Sequence, residues 1–441
     1  GGWRVSEEAF WKVNPDLFSN LKIRASYGSL GNGNVSPYSF LELLSISTSG
    51  RVLNGLKNKY TSAPAVMPDG LTWETATTTD VGLDFGMLNN RLQFNGDYYI
   101  RKTTDMYTVG ETLPDVFGAS SPKGNYADMT TKGWEITLTW RDQFTLAEKP
   151  FNYEIRGTLS DYISTIDRYN NQTGNLDDYY AGKRVGEIWG YVTEGLFKDQ
   201  ADIDSHADQT LIQSSSKRIT YPGDVKIKDL NGDHVIDYGN NTVDDHGDKT
   251  VIGNALPRYA YSINLSGDWN NFFLSAFFQG VGKQDWYPSS ECIFWGQYNR
   301  PYNNMPTWHQ GNYWTEDNTD AYLPRYAGYN ASLKSTPQTR YLQNVAYIRL
   351  KNLQFGYTLP QPIVSKAKLQ NVRVYISAEN LWCWSPLYKH TRDLDVTNIY
   401  GSDPDLTDAD MSSGLNGNRG SGDGNSYPQM KSVSLGLSVT F

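Results

Sequence analysis

The end of the chain alternates strictly between apolar and polar positions. Residues 431–441 read KSVSLGLSVTF, in which every odd-numbered position from Val433 to Phe441 is apolar and every even-numbered position is small or polar. Period-2 alternation predicts a strand with one apolar face and one polar face. A soluble sandwich would turn the apolar face inward, whereas an outer-membrane barrel would turn it toward lipid.

The same alternation recurs along the chain and predicts about twelve strands. Its clearest segments are residues 21–27, 79–88, 91–107, 134–141, 151–160, 259–269, 272–280, 340–360 and 371–387. Asn-Asn pairs at 89–90 and 270–271 predict tight hairpin turns, and a further connection is expected near residues 148–150. A cluster of Gly and Asn predicts a turn over residues 28–35.

The predicted connections alternate between tight turns and long segments. The long ones cover residues 113–128, 167–257, 281–339 and 388–427, and two predicted strands far exceed the usual length of about five to six residues. Trp and Tyr cluster near strand ends, as interfacial girdles require. This layout favours an all-β, transmembrane antiparallel β-barrel with short periplasmic turns and long extracellular loops. Val433, Leu435, Leu437 and Val439 should then face lipid, and Ser432, Ser434, Ser438 and Thr440 the lumen.

Composition and charge exclude a membrane-spanning helix and argue against one class of binding partner. No run reaches the roughly 18 apolar residues of a membrane helix, and a mean hydropathy of −0.57 is compatible with a polar lumen and long loops. A net charge of −9 argues against nucleic acid. Cys292 and Cys383 could form a disulfide or remain thiols. The first residues lack a signal-peptide pattern, which predicts a mature chain or a fragment.

Several ordered motifs resemble one family. They are LKIRASYGSLGN at 21–32, Tyr98-Tyr99 with 103–107, PGDVKIKDLNGD at 222–233, VIGN at 251–254 before Pro257, IRLKNLQFGYTLP at 348–360, AENL at 378–381 and the closing strand. In this order, from about Trp3 to Phe441, the chain resembles the C-terminal part of SusC/RagA-like TonB-dependent transporters.

The resemblance implies an architecture and a function. Family members carry an N-terminal plug inside a barrel of about 22 strands. Residues 1–441 are therefore expected to be the C-terminal part of the barrel, with the plug and the N-terminal strands outside this chain. The implied partners are that N-terminal half, a SusD-like lipoprotein lid, TonB acting through the plug, outer-membrane lipid and a dimer of transporter–lipoprotein pairs. The implied activity is import of a large glycan or oligopeptide.

An Asp-rich segment predicts a structural calcium site. Asp229, Asn231, Asp233 and Asp237 occupy positions 1, 3, 5 and 9 of an EF-hand-like loop, with the carbonyl of Val235 as a further ligand. Asp248 takes the place of an acid that follows in related transporters. His234 stands where Gly would ease the turn, and Asn240 where a bidentate acid is expected. A loop of Asx turns without metal is the alternative.

Residues 281–329 are dense in aromatic side chains. We expect Trp286, Trp295, Trp308, Tyr313 and Trp314 to contact the solute or the lipoprotein partner, because flat rings beside polar groups suit sugar recognition. Packing of the loop on itself is the alternative.

No catalytic arrangement stands out. The five histidines lack zinc spacing, and no nucleophile triad or phosphate loop is found, so the chain is predicted not to be an enzyme and to require no cofactor. Phe441 is predicted to be the barrel-assembly signal. Two other functions stay open: a passive porin and a secreted carbohydrate-binding β-protein.

Overall fold

The structure, a computed structural model, describes residues 1–33, 41, 44–61, 70–110, 116, 121–213, 219–288, 292–298, 304–327, 336–397, 399 and 428–441. Its strands in chain order are β1 Gly2–Arg4, β2 Phe18–Asn32, β3 Ile46–Leu53, β4 Leu56–Thr61, β5 Glu74–Met87, β6 Leu92–Val109, β7 Lys123–Leu146, β8 Lys149–Arg168, β9 Glu187–Tyr191, β10 Thr193–Leu196, β11 Val225–Ile227, β12 Lys249–Asn254, β13 Arg258–Trp269, β14 Phe272–Lys283, β15 Asp285–Trp286, β16 Tyr313–Trp314, β17 Leu323–Arg325, β18 Gln343–Asn344, β19 Tyr347–Thr358, β20 Asn371–Trp384 and β21 Ser432–Thr440.

Among the residues that the structure describes, helical structure is confined to short turns. The α-helices are α1 Gln200–Asp204 and α2 Gln361–Val364. The 3₁₀ turns are Val5–Glu7, Thr210–Ile212, Ile293–Tyr298, Thr307–His309, Ser365–Ala367 and Pro386–Lys389. Among the described residues, no helix combines the length and the apolar character needed to span a bilayer.

One antiparallel sheet dominates the fold. Its eleven strands lie in the order β1-β2-β5-β6-β7-β8-β13-β14-β19-β20-β21, so each strand pairs with the next barrel strand along the chain. The prediction of an all-β antiparallel barrel fold is confirmed, although the described residues show eleven strands in the sheet where the alternation predicts about twelve. The remaining strands form five two-stranded sheets within the long connections.

The predicted separation of apolar and polar positions is also confirmed. On one face, Leu435 pairs with Ile376, and the row continues through Phe355 to Leu274. On the other face, Ser434 pairs with Ser377 and the row continues through Gln354 to Ser275. The apolar face is open, with Leu435 80% exposed. A soluble sandwich would cover this face, whereas a barrel presents it to lipid.

The Asn-Asn turns have the geometry that their sequence predicts. Asn89 and Asn90 have φ values of 57° and 61°, and Asn270 and Asn271 have 48° and 69°. Consecutive residues in the left-handed region are the mark of a type I′ hairpin turn, and Asn tolerates that region. Both turns lie at the same end of the sheet, so the long connections leave from the other end.

Four predicted boundaries are wrong. Residues 28–32 continue strand β2 instead of turning, and residues 123–128 belong to β7 instead of a loop. The strand expected from residue 340 begins at Tyr347. The connection placed at residues 148–150 is a turn at Ala147 and Glu148, with φ of 47° and 63°. At residues 28–32 and 123–128, cross-strand hydrogen bonding overrides the local turn preference of Gly and Asn.

The main hydrophobic core lies in the long connections, where Tyr347 of β19 and Cys383 of β20 pack against it. Its buried members come from three of them: Tyr191, Leu196, Val225, Ile227 and Ile236 between β8 and β13; Trp286, Cys292, Phe294, Trp295, Tyr298, Leu323, Tyr341 and Val345 between β14 and β19; and Leu387, Leu394, Val396 and Ile399 between β20 and β21. We call this set the loop core. Strand β9 also bonds the second connection, because the amide of Tyr191 donates to the carbonyl of Pro337.

Candidate functional site: the lumen face and the loop core

The polar face of the sheet carries paired charges. The Arg24 guanidinium donates through Nε and Nη2 to the two carboxylate oxygens of Asp84, both at 2.8 Å, and also reaches Asp97. Arg24 and Asp97 stand on strands β2 and β6, separated by β5. Gly82 of β5 lies between them, and a Cβ there would come within 2.6 Å of Arg24 Cζ. A side chain at this position would therefore intrude on the three-strand contact.

Nearer the tight turns, the same face borders a cavity of about 860 Å³. Arg141 of β7 donates to Glu154 of β8 at 2.5 Å, and Asn152 donates to Asp268 of β13 at 2.8 Å. These groups are only partly buried, so they remain hydrated and available to a polar solute. The face offers donors and acceptors along its length, and most of the large apolar side chains lie on the opposite side of the sheet, with Phe273 an exception that lines this cavity.

The aromatic residues predicted to contact a solute divide into two groups. Trp286 and Trp295 are each 1% exposed and lie inside the loop core, where the Trp295 indole donates to the carbonyl of Pro288 at 3.2 Å. Their rings are already covered by protein, which favours the alternative that the loop packs on itself, and contact by these two residues stays a prediction. Trp308, Tyr313 and Trp314 pack against the edge of the core and keep part of their surface open.

Trp314 owes its position to a glycine. Gly223 has a φ of +84°, and a Cβ at this position would lie 2.5 Å from the Trp314 ring. The neighbouring Arg325 pairs with the buried Asp224, with Nε 2.8 Å from Oδ1, and stacks over Tyr221 at 4.5 Å. The motif PGD at 222–224 thus supplies both the space for Trp314 and the acid that orients Arg325. For Trp308, Tyr313 and Trp314, solute or partner contact stays a prediction.

His309 is a buried polar group of the loop core. Its side chain is 0% exposed, with Nε2 2.9 Å from the Phe294 carbonyl and Nδ1 3.0 Å from the Tyr326 hydroxyl. A neutral ring satisfies both partners when Nε2–H donates to the carbonyl and Nδ1 accepts from the hydroxyl. Burial lowers the pKa of His309 to about 4, because the charged form loses its hydration. The histidine therefore contributes to packing as a neutral residue.

The Asp-rich segment folds as a series of Asx turns. The two carboxylate oxygens of Asp229 accept from the amides of Gly232 and His234, at 2.6 and 2.9 Å. Asp248 is fully buried and accepts from the amides of Leu230 and Asp237, at 2.7 and 3.0 Å. His234 has a φ of +64°, so the sharp turn expected at this position is present without Gly.

These carboxylates do not converge on one point. Within the described part of the chain, no group of three or more His, Cys, Asp or Glu side chains is placed to hold a metal ion. The remaining members of the predicted set follow the Asx pattern, since Asn231 accepts from the amide of Asp233 and Asp233 from that of Val235. The structure corresponds to the Asx-turn alternative, and calcium binding stays a prediction.

A buried ion pair that the sequence does not signal connects the last long connection to the sheet. Arg349 of β19 donates to Asp395 at 2.5 Å, with side-chain exposures of 5% and 6%. Asp395 also accepts from the amide of Gln429, just before β21. Arg349 lies within the family-like motif at 348–360, but nothing in the sequence around Asp395 identifies it as the partner. Cys292 and Cys383, both described, are not joined by a disulfide.

Comparison with known proteins places this geometry in context. TonB-dependent receptor P3 of Formosa agariphila is 28% identical over the whole chain, and TonB-dependent receptor SusC of Bacteroides thetaiotaomicron is 23% identical over the whole chain. The alignments cover 41% and 39% of those relatives, so the chain spans about two fifths of their length. The whole chain is therefore similar to TonB-dependent receptors, SusC among them. No family model matches it.

Solved structures agree on the fold. The chain superposes on the structure of the RagAB peptide transporter with a TM-score of 0.65 and 19% identity, covering 87% of this chain and 39% of that one. The RagAB peptide importer in its open-open state gives a TM-score of 0.64. A SusC/RagA-like chain with an open apolar outer face belongs in the bacterial outer membrane, as predicted. The named relatives are receptors and transporters rather than enzymes.

Proposed function

We propose that this chain forms part of the barrel wall, the lumen surface and the extracellular loop layer of a TonB-dependent importer for a large nutrient. The observation that carries the proposal is the similarity of the whole chain to TonB-dependent receptors, SusC among them. The hydrated, charged inner face supports it, because a polar solute needs hydrogen-bonding groups along its path. The activity is translocation without bond chemistry.

The open edges of the sheet support a larger barrel. Among the described strands, β21 pairs with β20, while β2 has only the three-residue β1 on its other side. Unpaired backbone groups in lipid cost several kcal/mol each, roughly. We propose that further strands of the same transporter pair with these edges. A plug within that larger barrel would be the contact with TonB.

The cargo is proposed to be a glycan or an oligopeptide, captured together with a SusD-like lipoprotein. SusC and the RagAB peptide transporter are the relatives on which this class rests. The partly open rings of Trp308, Tyr313 and Trp314, at the edge of the loop core, offer a surface for either the solute or the lipoprotein. The side chains of the loop core beneath them are buried, so it would present these rings rigidly.

The test is energised uptake in cells. Deletion of the gene should abolish growth on one polymeric nutrient and uptake of its labelled oligomer, while extracellular hydrolysis of the polymer continues. Complementation with the full-length gene should restore uptake, and removal of TonB should abolish it again. Retained uptake after deletion would refute the proposal. Uptake that persists without TonB would instead indicate a passive porin, whose conductance a planar bilayer would record.

A further inference from the structure

An apolar groove of about 690 Å³ runs along the outer face of the sheet beside the tight turns. Its walls are rows of cross-strand neighbours on β8, β13, β14 and β19. The row nearest the turns contains Phe151, Trp269 and Phe272, and the row two residues farther along contains Leu274 and Phe355. The groove therefore lies on the face that meets lipid, at the level of the aromatic girdle.

A glycine forms part of the floor of the groove. Gly267 stands between Tyr153 and Leu274 in the second row, where every neighbouring position carries a large side chain. A Cβ at Gly267 would lie 3.3 Å from the Phe151 ring, so the space above the glycine is bounded by that ring. Gly157 lies on the same outer face of β8, but a Cβ there would meet nothing within 4 Å. We call the space above Gly267 the notch. The Phe151 ring bounds the notch, whereas the space above Gly157 is open.

Lys149 lies one outer-face position beyond the lining residue Phe151, toward the turns. Lys149 begins β8 on the same face as Phe151, two residues away, and its Nζ contacts the Asn270 side chain in the β13–β14 turn. An ammonium group has three donors, so this contact leaves donors for an anion. The Trp269 indole donates to the Leu146 carbonyl at 2.9 Å. This hydrogen bond fixes the Trp269 ring, which forms the floor of the groove at this end.

We propose that this groove binds one anionic phospholipid of the periplasmic leaflet. An acyl chain would lie over Gly267 between the rings of Phe151, Trp269 and Phe272, and the phosphate would bind Lys149. The orientation follows from the tight turns, which lie on the periplasmic side of outer-membrane barrels. The inference rests on the placement of this face in the outer membrane, and it does not depend on the identity of the cargo.

Native mass spectrometry of the purified full-length transporter tests the proposal. The protein is delipidated in detergent, titrated with phosphatidylglycerol or phosphatidylethanolamine, and scored for retained lipid. The wild type should retain one phosphatidylglycerol in preference to phosphatidylethanolamine. Gly267→Leu fills the notch and should weaken retention about tenfold, the factor expected when roughly two buried methylene groups lose their contacts. Gly157→Leu, the matched control on the same face, should retain lipid as the wild type does.

Lys149→Gln provides a second test that leaves the groove intact. It should abolish the preference for phosphatidylglycerol while the acyl chain is still held. Equal loss in Gly267→Leu and Gly157→Leu would overturn the proposal, as would a wild type that retains no lipid. Unchanged headgroup preference in Lys149→Gln would overturn the assignment of the phosphate to this lysine. Because retention is measured on purified protein, a negative result would leave the uptake experiment unaffected.

Discussion

The guanidinium of Arg349 and the carboxylate of Asp395 form an ion pair that is almost completely buried, with Nη2 2.5 Å from Oδ1. Arg349 belongs to a long strand of the sheet, and Asp395 to the connection between β20 and β21. A second oxygen of Asp395 accepts from the Gln429 amide at 2.9 Å. The pair therefore holds both described ends of this connection against the sheet.

Arg349→Met should loosen this connection, because it leaves the Asp395 carboxylate buried without its cation. Breaking a buried pair in this way costs about 3–5 kcal/mol. Hydrogen exchange of the amides at 391–397 should accelerate accordingly. The double variant Arg349→Met/Asp395→Leu should recover much of the protection, and Arg156→Met, at an exposed position, serves as control. Equal exchange in Arg349→Met and the wild type would contradict a stabilising role for the pair.

Trp286→Ala should act on folding, since this ring is fully enclosed in the loop core. Removal of a buried Trp costs about 3–5 kcal/mol, so proteolysis within the β14–β19 connection should increase. Trp314→Ala, at the partly open edge, should lower affinity for solute or lipoprotein with a smaller effect on proteolysis. Measuring both limited proteolysis and the affinity for solute or lipoprotein in each variant distinguishes a role in folding from a role in binding. A Trp286→Ala protein that resists proteolysis but binds weakly would reverse the assignment.

Acidification should destabilise the loop core through His309. Its pKa is lowered from 6.5 to about 4 in the folded chain, so the folded state favours the neutral ring. The stabilisation is fully present above about pH 6.5 and is lost as the pH falls toward 4. The difference in pKa corresponds to about 3 kcal/mol. Protection factors of the amides at 292–298, which are exchange rates divided into the intrinsic rate at each pH, measure the loss between pH 7 and pH 4.

His309→Gln is the matched variant, because an amide can still donate to the Phe294 carbonyl and accept from Tyr326 but does not titrate. Its exchange should depend less on pH than that of the wild type. Identical pH profiles would assign the effect to another group. His390, whose pKa is lowered by burial and by Lys389, is the first alternative.

Asp248→Asn should destabilise the Asp-rich segment even when no metal ion is present. Asp248 holds the amides of Leu230 and Asp237, and an amide side chain offers one acceptor where the carboxylate offers two. Loss of one buried hydrogen bond costs about 1–3 kcal/mol. Faster exchange of the amides at 229–237 is expected in calcium-free buffer.

The same measurement tests the calcium prediction. If the Asx turns suffice, addition of Ca²⁺ or a chelator leaves exchange of residues 229–248 in the wild type unchanged. Strong protection by Ca²⁺ that is lost in Asp229→Asn would instead establish the predicted site. Asp208→Asn, outside the predicted ligand set, is the control for a general effect of acidic residues.

The sheet could be predicted from the sequence because its two faces meet different media. One face meets lipid and the other water, so the alternation survives in almost every long strand and shows on which face each side chain lies. Asn at paired turn positions adds the tight turns at 89–90 and 270–271. Where a turn uses Ala147 and Glu148 instead, the sequence carries no signal and the predicted boundary is displaced.

The loop core could not be predicted in the same way. Its buried residues come from three connections that are far apart in sequence. Apolar residues do not recur with a regular period in these connections, so no local sequence pattern identifies the buried ones. The aromatic density of residues 281–329 marks the region, but it does not separate the buried Trp295 from the partly open Trp308. The pairing of Arg349 with Asp395 likewise depends on how these connections pack.

Phe441 remains the predicted assembly signal, and its test separates insertion from transport. The residue follows β21 and is 84% exposed, so its removal should cost little packing. Deletion of Phe441 should lower the amount of transporter in the outer membrane, while uptake per inserted molecule stays unchanged. Phe441→Tyr keeps an aromatic ring and should insert normally, and Thr440→Ala controls for changes at the strand end. Surface labelling with quantitative blotting measures insertion. Normal surface levels after deletion of Phe441 would show that assembly does not require this residue.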